Sequence, residues 1–133
     1  MLMFVYGTLQ RGQRNNHLLA GQTCLGRAVT VEKFAMVNVG FPFMLREPRT
    51  APVVGELFDI GDDTACLKRI DRLEAEGSMY DRVTGMVECN GQLYEASYYV
   101  ACRDEDWDED WGDDGRDVPV NAAGLLEWPK TKA

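Results

Sequence analysis

Met1 to Tyr6 is apolar throughout, and at Gly7 the chain changes character abruptly, running on as Thr8-Leu9-Gln10-Arg11-Gly12-Gln13-Arg14-Asn15. An uninterrupted apolar run of this length is the signature of a strand covered on both faces, so the rest of the chain must supply two layers to bury it. Gly7 gives the backbone freedom where the strand has to turn, and Thr8 adds a hydroxyl. A loop that leaves the end of a central strand presents backbone N–H groups. Such groups can hold a carboxylate, a phosphate or a developing oxyanion. An ordinary strand-to-loop turn has the same spacing, so the motif alone does not decide between them.

The 133 residues fit a single domain spanning 1–133, and a hydrophobic content of 45% is enough for a sizeable core. No apolar run reaches the roughly 20 residues of a membrane span, and Met1 to Tyr6 is too short and lacks the basic flank of a secretory leader. These features predict a soluble, cytoplasmic protein with no membrane partner. The four cysteines, Cys24, Cys66, Cys89 and Cys102, form no C-x-x-C pair, and His17 is the only histidine. No zinc-ligand spacing is present, and a Ser-His-Asp or Cys-His triad is disfavoured. The cysteines read as reduced and inert, and His17 as a residue that caps or packs the short segment after the first loop.

Charge is unevenly distributed. There are 14 basic and 22 acidic residues, and eight of the acids fall between Asp104 and Asp114, leaving 14 of each sign elsewhere. The body is neutral and one segment is the anion. No basic patch with interleaved aromatics occurs, which argues against a nucleic-acid partner. The acidic stretch carries Trp107 and Trp111 and reads as a solvated insertion or tail at about 103–117, with a lid or a protein-docking element as the sharper alternative.

Local patterns place the elements. Asn16 to Ala20 suits one helical turn, and Arg27 to Glu32 and Phe34 to Val39 read as strands, the second broken by Gly40-Phe41-Pro42. Phe43-Met44-Leu45 is an apolar patch beside that bend. Val53 to Ile60 is the clearest strand, and its alternation sets Glu56 on the face of Val54, Phe58 and Ile60. Either the strand is buried on both faces with Glu56 at its wet end, where an irregular spot at Gly55 lets it reach a partner, or Glu56 is a functional acid. Asp62-Asp63-Thr64 opens a helix with Cys66, Leu67, Ile70 and Leu73 inward and Lys68, Arg69, Asp71 and Arg72 outward. Glu74 lies four residues beyond Ile70, on the apolar face near the helix end. A carboxylate there must be hydrogen-bonded, raised in pKa or open to a cavity, and the last two suit a general acid/base. Gly77-Ser78 ends the element. Asn90-Gly91 then predicts a hairpin between Val83–Cys89 and Gln92–Val100, with aromatics on both faces of its second strand. Asn121 to Trp128 reads as a short terminal helix packing back, and Pro129 to Ala133 as a frayed end.

Several separated pieces together resemble the γ-glutamylcyclotransferase-like family, also described as AIG2-like or BtrG-like, which includes γ-glutamylamine cyclotransferases. They are Tyr6-Gly7-Thr8-Leu9 with Gly12 and Asn15 or Asn16, Gly40-Phe41-Pro42, Val54-Gly55-Glu56-Leu57-Phe58, and Ile70-Asp71-Arg72-Leu73-Glu74 with Tyr80-Asp81-Arg82. The resemblance implies an α+β fold, a mixed, partly closed β-barrel flanked by short helices, with a cavity between them. It implies that Tyr6, Gly7, Thr8 and Leu9 bind a γ-glutamyl group, that Glu74 rather than Glu56 is the catalytic acid/base, and that Tyr80 lies near the pocket. The implied activity is an amide-cleaving cyclisation of a small γ-glutamyl substrate to 5-oxoproline, needing neither metal nor cofactor. A non-catalytic module that sequesters a small metabolite, or a protein-interaction module, is the alternative on the same fold. The acidic segment departs from the family pattern.

Overall fold

A computed structural model describes residues 1–38, 42–74, 80–101 and 116–128. In chain order it has β1 (Leu2–Val5), a 3-10 turn (Asn16–Leu19), β2 (Thr23–Thr30), β3 (Ala35–Asn38), β4 (Pro42–Leu45), β5 (Val53–Asp59), α1 (Thr64–Glu74), β6 (Tyr80–Cys89), β7 (Gln92–Ala101), β8 (Arg116–Asp117) and β9 (Leu126–Glu127). The large sheet runs β1-β7-β6-β2-β5, and β5 pairs back with β1, so five strands close into a barrel. Only the β1–β7 pair within that ring is parallel; the others are antiparallel. The barrel is mixed as well as closed, as the sequence led one to expect of the fold class.

Alternation along the strands builds two cores. Phe4, Ala28, Leu57, Val87, Ala96, Tyr98 and Val100 come from one face of all five barrel strands and pack together as its interior. Met3, Val5, Phe58 and Tyr99 point the other way, and the 3-10 turn and α1 cover them with Leu19, Cys66 and Ile70. This outer layer is why β1 is apolar on both faces. Burying Ile70 completely contributes roughly 1.5–3 kcal/mol to docking the helix. The separate β4-β3-β8 sheet straddles the barrel wall, sending Met36 and Met44 to the inner cluster and Val37 and Leu45 to the outer one.

The hairpin turns where Asn90-Gly91 predicts: both residues have positive φ, 53° and 79°, as a type I′ turn requires. The helix likewise starts as expected, with Asp63 Oδ1 accepting the Cys66 N–H at 2.9 Å as an N-cap. His17 Nδ1 lies 3.2 Å from the Arg14 carbonyl oxygen, beside the turn it was expected to cap or pack.

Several expectations are corrected. Asn121 to Trp128 is a turn followed by β9, because Asn121 Oδ1 accepts the N–H groups of Ala123 and Leu125, and Gly124 adopts φ 80°. That side chain competes successfully with helical bonding. Leu126 and Glu127 then pair with Val53 and Val54, extending the edge of β5 beyond β1. Gly55 is not an irregular spot: it pairs in register with Ala28, and a Cβ there would lie 2.2 Å from the Val5 carbonyl oxygen. Leu73, expected on the apolar face, is 40% exposed. Asp71, expected outside, is half-buried and bonded to the barrel. Pro42 to Leu45 form a strand, whereas Gly40, Phe41, Gly77, Ser78, Cys102, the acidic run Asp104 to Asp114 and Pro129 to Ala133 lie outside the described residues.

Candidate active site

β1 delivers the chain into the loop at Tyr6, which is buried and donates its hydroxyl to the Tyr99 carbonyl at 2.8 Å. Beyond it the loop folds on its own carbonyl groups. Gly7 O accepts the Gln10 N–H at 3.1 Å, Thr8 O the Asn15 N–H at 2.9 Å, and Leu9 O the Asn16 side-chain amide at 2.9 Å. Asn15 Nδ2 also donates to Thr8 Oγ1 at 2.9 Å, which leaves the hydroxyl proton available for donation. Among the described residues, the N–H groups of Gly7, Thr8 and Leu9 have no acceptor. Three successive carbonyls are thus committed and three successive donors are not, the polarity of an anion-binding concavity.

Glu56 holds this loop in place. Its Oε1 accepts the Arg11 N–H at 2.6 Å and its Oε2 the Arg11 Nε–H at 2.8 Å. The Glu56 side chain is only 14% exposed, and its hydrogen bond strengthens the hold of Arg11 on its proton, raising the guanidinium pKa. Of the two readings of Glu56, the structure shows the one in which the carboxylate reaches a partner.

Register brings the other pieces to the same end of the barrel. β1 and β7 run parallel with Met3 beside Ser97, so Tyr6 leaves β1 next to the last residues of β7. Tyr80 opposes Ala101 there, buried in the outer cluster with Val5 and Leu9. The last turn of α1 is fixed nearby: the Tyr99 hydroxyl donates to Asp71 Oδ1, and Arg82 Nε lies 3.7 Å from the same oxygen. Arg82 Nη1 is buried with no hydrogen-bond partner among the described residues. Glu74 is the final residue of α1, one turn beyond Asp71; its side chain lies outside the description. Asp71 and Tyr99 were not singled out from sequence, although Asp71 stands three residues before Glu74 and therefore on nearly the same helix face.

Among the described residues no group of three or more His, Cys, Asp or Glu side chains is placed to hold a metal ion. Burial pushes the Cys66 and Cys89 thiols above their ordinary pKa, so both are protonated at neutral pH. No described helix is long and apolar enough to cross a membrane.

Comparison with known proteins identifies the family. The sequence profile of the family described as "Gamma-glutamyl cyclotransferase, AIG2-like" matches residues 3–115. A Rattus norvegicus gamma-glutamylaminecyclotransferase is 38% identical over 89 residues, covering 60% of this chain and 58% of the rat protein. The gamma-L-glutamyl-butirosin B gamma-glutamyl cyclotransferase of Niallia circulans is 31% identical over 110 residues, covering 77% of this chain and 68% of its own. A crystal structure of an AIG2-like protein from Mus musculus superposes with a TM-score of 0.69 at 25% identity, covering 99% of this chain and 97% of the mouse one. On these matches the chain belongs to the gamma-glutamyl cyclotransferase, AIG2-like family.

Proposed function

We propose that this protein converts a γ-glutamyl amine to 5-oxoproline and the free amine. The observation that carries the reading is the loop from Gly7 to Leu9, whose carbonyls are engaged and whose N–H groups have no acceptor among the described residues, at the barrel end where α1 finishes at Glu74. The nucleophile is supplied by the substrate. Its α-amine attacks its own γ-carbonyl carbon, a new C–N bond closes a five-membered ring, and the original amide C–N bond breaks. Glu74 takes a proton from the α-ammonium and returns it to the leaving amine, a role worth on the order of 10²–10⁴-fold in rate. The N–H groups of Gly7, Thr8 and Leu9 bind the substrate carboxylate or the oxyanion, where one donor contributes about 3 kcal/mol. Tyr80 bounds the glutamyl site. No metal or organic cofactor has a step in this scheme.

The chain's formal net charge of -8, to which the eight acids between Asp104 and Asp114 contribute, favours amine-bearing or cationic leaving groups over polyanions. The preferred substrate class is accordingly γ-glutamylamines such as γ-glutamyl-ε-lysine, ahead of glutathione.

The test is Glu74→Gln assayed for 5-oxoproline release, with circular dichroism to verify the fold. Loss of release by at least 10²-fold with the fold retained supports the assignment. Unchanged turnover removes Glu74 from the mechanism, and wild-type protein that turns over no γ-glutamyl compound favours a binding module. Consumption of glutathione alone opposes the substrate preference.

A further inference from the structure

Asn15 holds Thr8 at two points. Its backbone N–H donates to the Thr8 carbonyl and its side-chain Nδ2 to Thr8 Oγ1, each at 2.9 Å. The residue stands immediately before the 3-10 turn Asn16–Leu19, where an Asn side chain ordinarily accepts an N–H of the turn, yet it makes no capping bond. The side chain is committed to Thr8 instead, and the turn goes without the bond that would stabilise it locally. Asn16, its neighbour, donates to Leu9 O at 2.9 Å, so the two amides hold successive residues of the loop.

The direction of the side-chain bond fixes the polarity of the hydroxyl. Thr8 Oγ1 accepts from Nδ2, so its own proton is turned away from Asn15, and among the described residues no acceptor receives it. A hydroxyl free to rotate accepts as readily as it donates, whereas one that already accepts is biased to donate. Thr8 is half-buried, neither enclosed in the core nor fully in water. The N–H groups of Gly7, Thr8 and Leu9 likewise lack an acceptor among the described residues. We propose that Asn15 is a positioning residue for the active site: it holds the Thr8 hydroxyl as a donor to an anionic oxygen of the substrate, in addition to the three backbone N–H groups. Which anion is bound, the α-carboxylate or the developing oxyanion, rests on the cyclotransferase reading; the direction of the hydroxyl depends only on the Asn15–Thr8 geometry.

The experiment measures kcat and KM for 5-oxoproline release from a γ-glutamyl amine in Asn15→Ala, Asn15→Asp, Thr8→Ser and Thr8→Val of the full chain, with circular dichroism to verify the fold. Asn15→Asp keeps the side-chain shape but offers an acceptor, so the Thr8 proton turns toward it and the hydroxyl presents lone pairs instead. Asn15→Ala only frees the hydroxyl to rotate. The expected order of kcat/KM is parent, then Asn15→Ala down a few-fold, then Asn15→Asp down about ten- to hundredfold, the range of a hydrogen bond to a charged group. A purely structural role reverses the two variants, because alanine deletes a contact that aspartate fills. Thr8→Ser keeps the hydroxyl and stays within a few-fold of the parent, whereas Thr8→Val loses about tenfold. In the Thr8→Val background the Asn15→Asp effect shrinks to what its added charge alone repels. A rise in KM without a fall in kcat assigns the hydroxyl to the α-carboxylate, and a fall in kcat to the oxyanion. Calorimetric titration with 5-oxoproline, which carries a carboxylate and a ring carbonyl, repeats the series without turnover. If wild-type protein turns over no γ-glutamyl compound yet 5-oxoproline binding follows the same order, the cyclotransferase reading falls and the Asn15 assignment stands; wild-type protein that neither turns over nor binds overturns both. Asn15→Asp equal to or better than Asn15→Ala, or an Asn15→Asp effect undiminished in Thr8→Val, overturns the proposal.

Discussion

Tyr6 and Tyr99, 93 residues apart in sequence, are joined by a 2.8 Å hydrogen bond from the Tyr6 hydroxyl to the Tyr99 carbonyl. Tyr99 in turn donates its own hydroxyl to Asp71, one helical turn before Glu74. One residue of β7 therefore links the strand that enters the Gly7–Leu9 loop to the helix that ends at the proposed acid/base. In Tyr99→Phe, the hydrogen bond to a carboxylate is lost and the end of α1 loosens. The expected result is a fall in kcat for 5-oxoproline release of about tenfold, with a smaller change in KM, because the loop bond to the Tyr99 backbone carbonyl remains. A variant with wild-type kcat would show that this linkage does not position the site.

The Glu56 tether acts on the loop itself. Glu56→Ala removes both oxygens that hold Arg11, and is expected to raise KM several-fold more than it lowers kcat. Its stability cost is modest, about 0.5–1.5 kcal/mol by urea denaturation, because Arg11 is 60% exposed. If loop order is what matters, Arg11→Ala reproduces only part of the effect, since the backbone N–H of residue 11 still donates to Glu56.

Gly55 tests barrel closure. Alanine there brings its Cβ against the Val5 carbonyl and the Phe4 ring, and backbone cannot give way as a flexible side-chain tip does. Gly55→Ala should destabilise the fold by about 3 kcal/mol, measured as a reduced denaturation midpoint. Gly85→Ala meets the Tyr98 hydroxyl instead, so its smaller cost, about 1–3 kcal/mol, should shrink in a Tyr98→Phe background, a coupling that a double-mutant cycle reads directly.

A pH effect follows from Asp63. The Cys66 N–H, then the Gln22 side-chain amide, stabilise its charged form and hold its pKa below the ordinary carboxylate value. Because the folded-state pKa is depressed, the stabilisation is complete above the unfolded-state pKa near 4 and is lost as pH falls through the folded value. Asp63→Asn should therefore be less stable than the parent at pH 7, with the gap closing below about pH 4 in thermal melts. A gap that is constant across this range would assign the effect to something other than the charge.

Local signals made β1, the capped start of α1 and the Asn90-Gly91 turn legible, because each depends on residues within a few positions of one another. The same locality misled at Asn121: the apolar spacing to Trp128 suits a helix, but an Asn side chain captures two backbone donors and β5 offers an edge to pair with. Asp71 was placed outward because helical spacing cannot register a tyrosine arriving from β7. At the candidate site, the loop and the helix end were both visible in sequence, whereas Asp71, Tyr99 and the Arg11–Glu56 tether were not.

By itself, then, the sequence determined that an apolar strand runs into a glycine-marked loop and that an amphipathic helix carries Glu74 near its end. Tertiary structure alone decided that these share one end of a closed barrel. The physical reason is that closure depends on pairing β1 in parallel with β7, far along the chain, and pairing of that kind leaves no local periodicity to read. The open donors of Gly7, Thr8 and Leu9 are a consequence of the same closure and of the loop's internal bonding. Their carbonyls are consumed by Gln10, Asn15 and Asn16, and the N–H groups of the same three residues have no acceptor among the described residues.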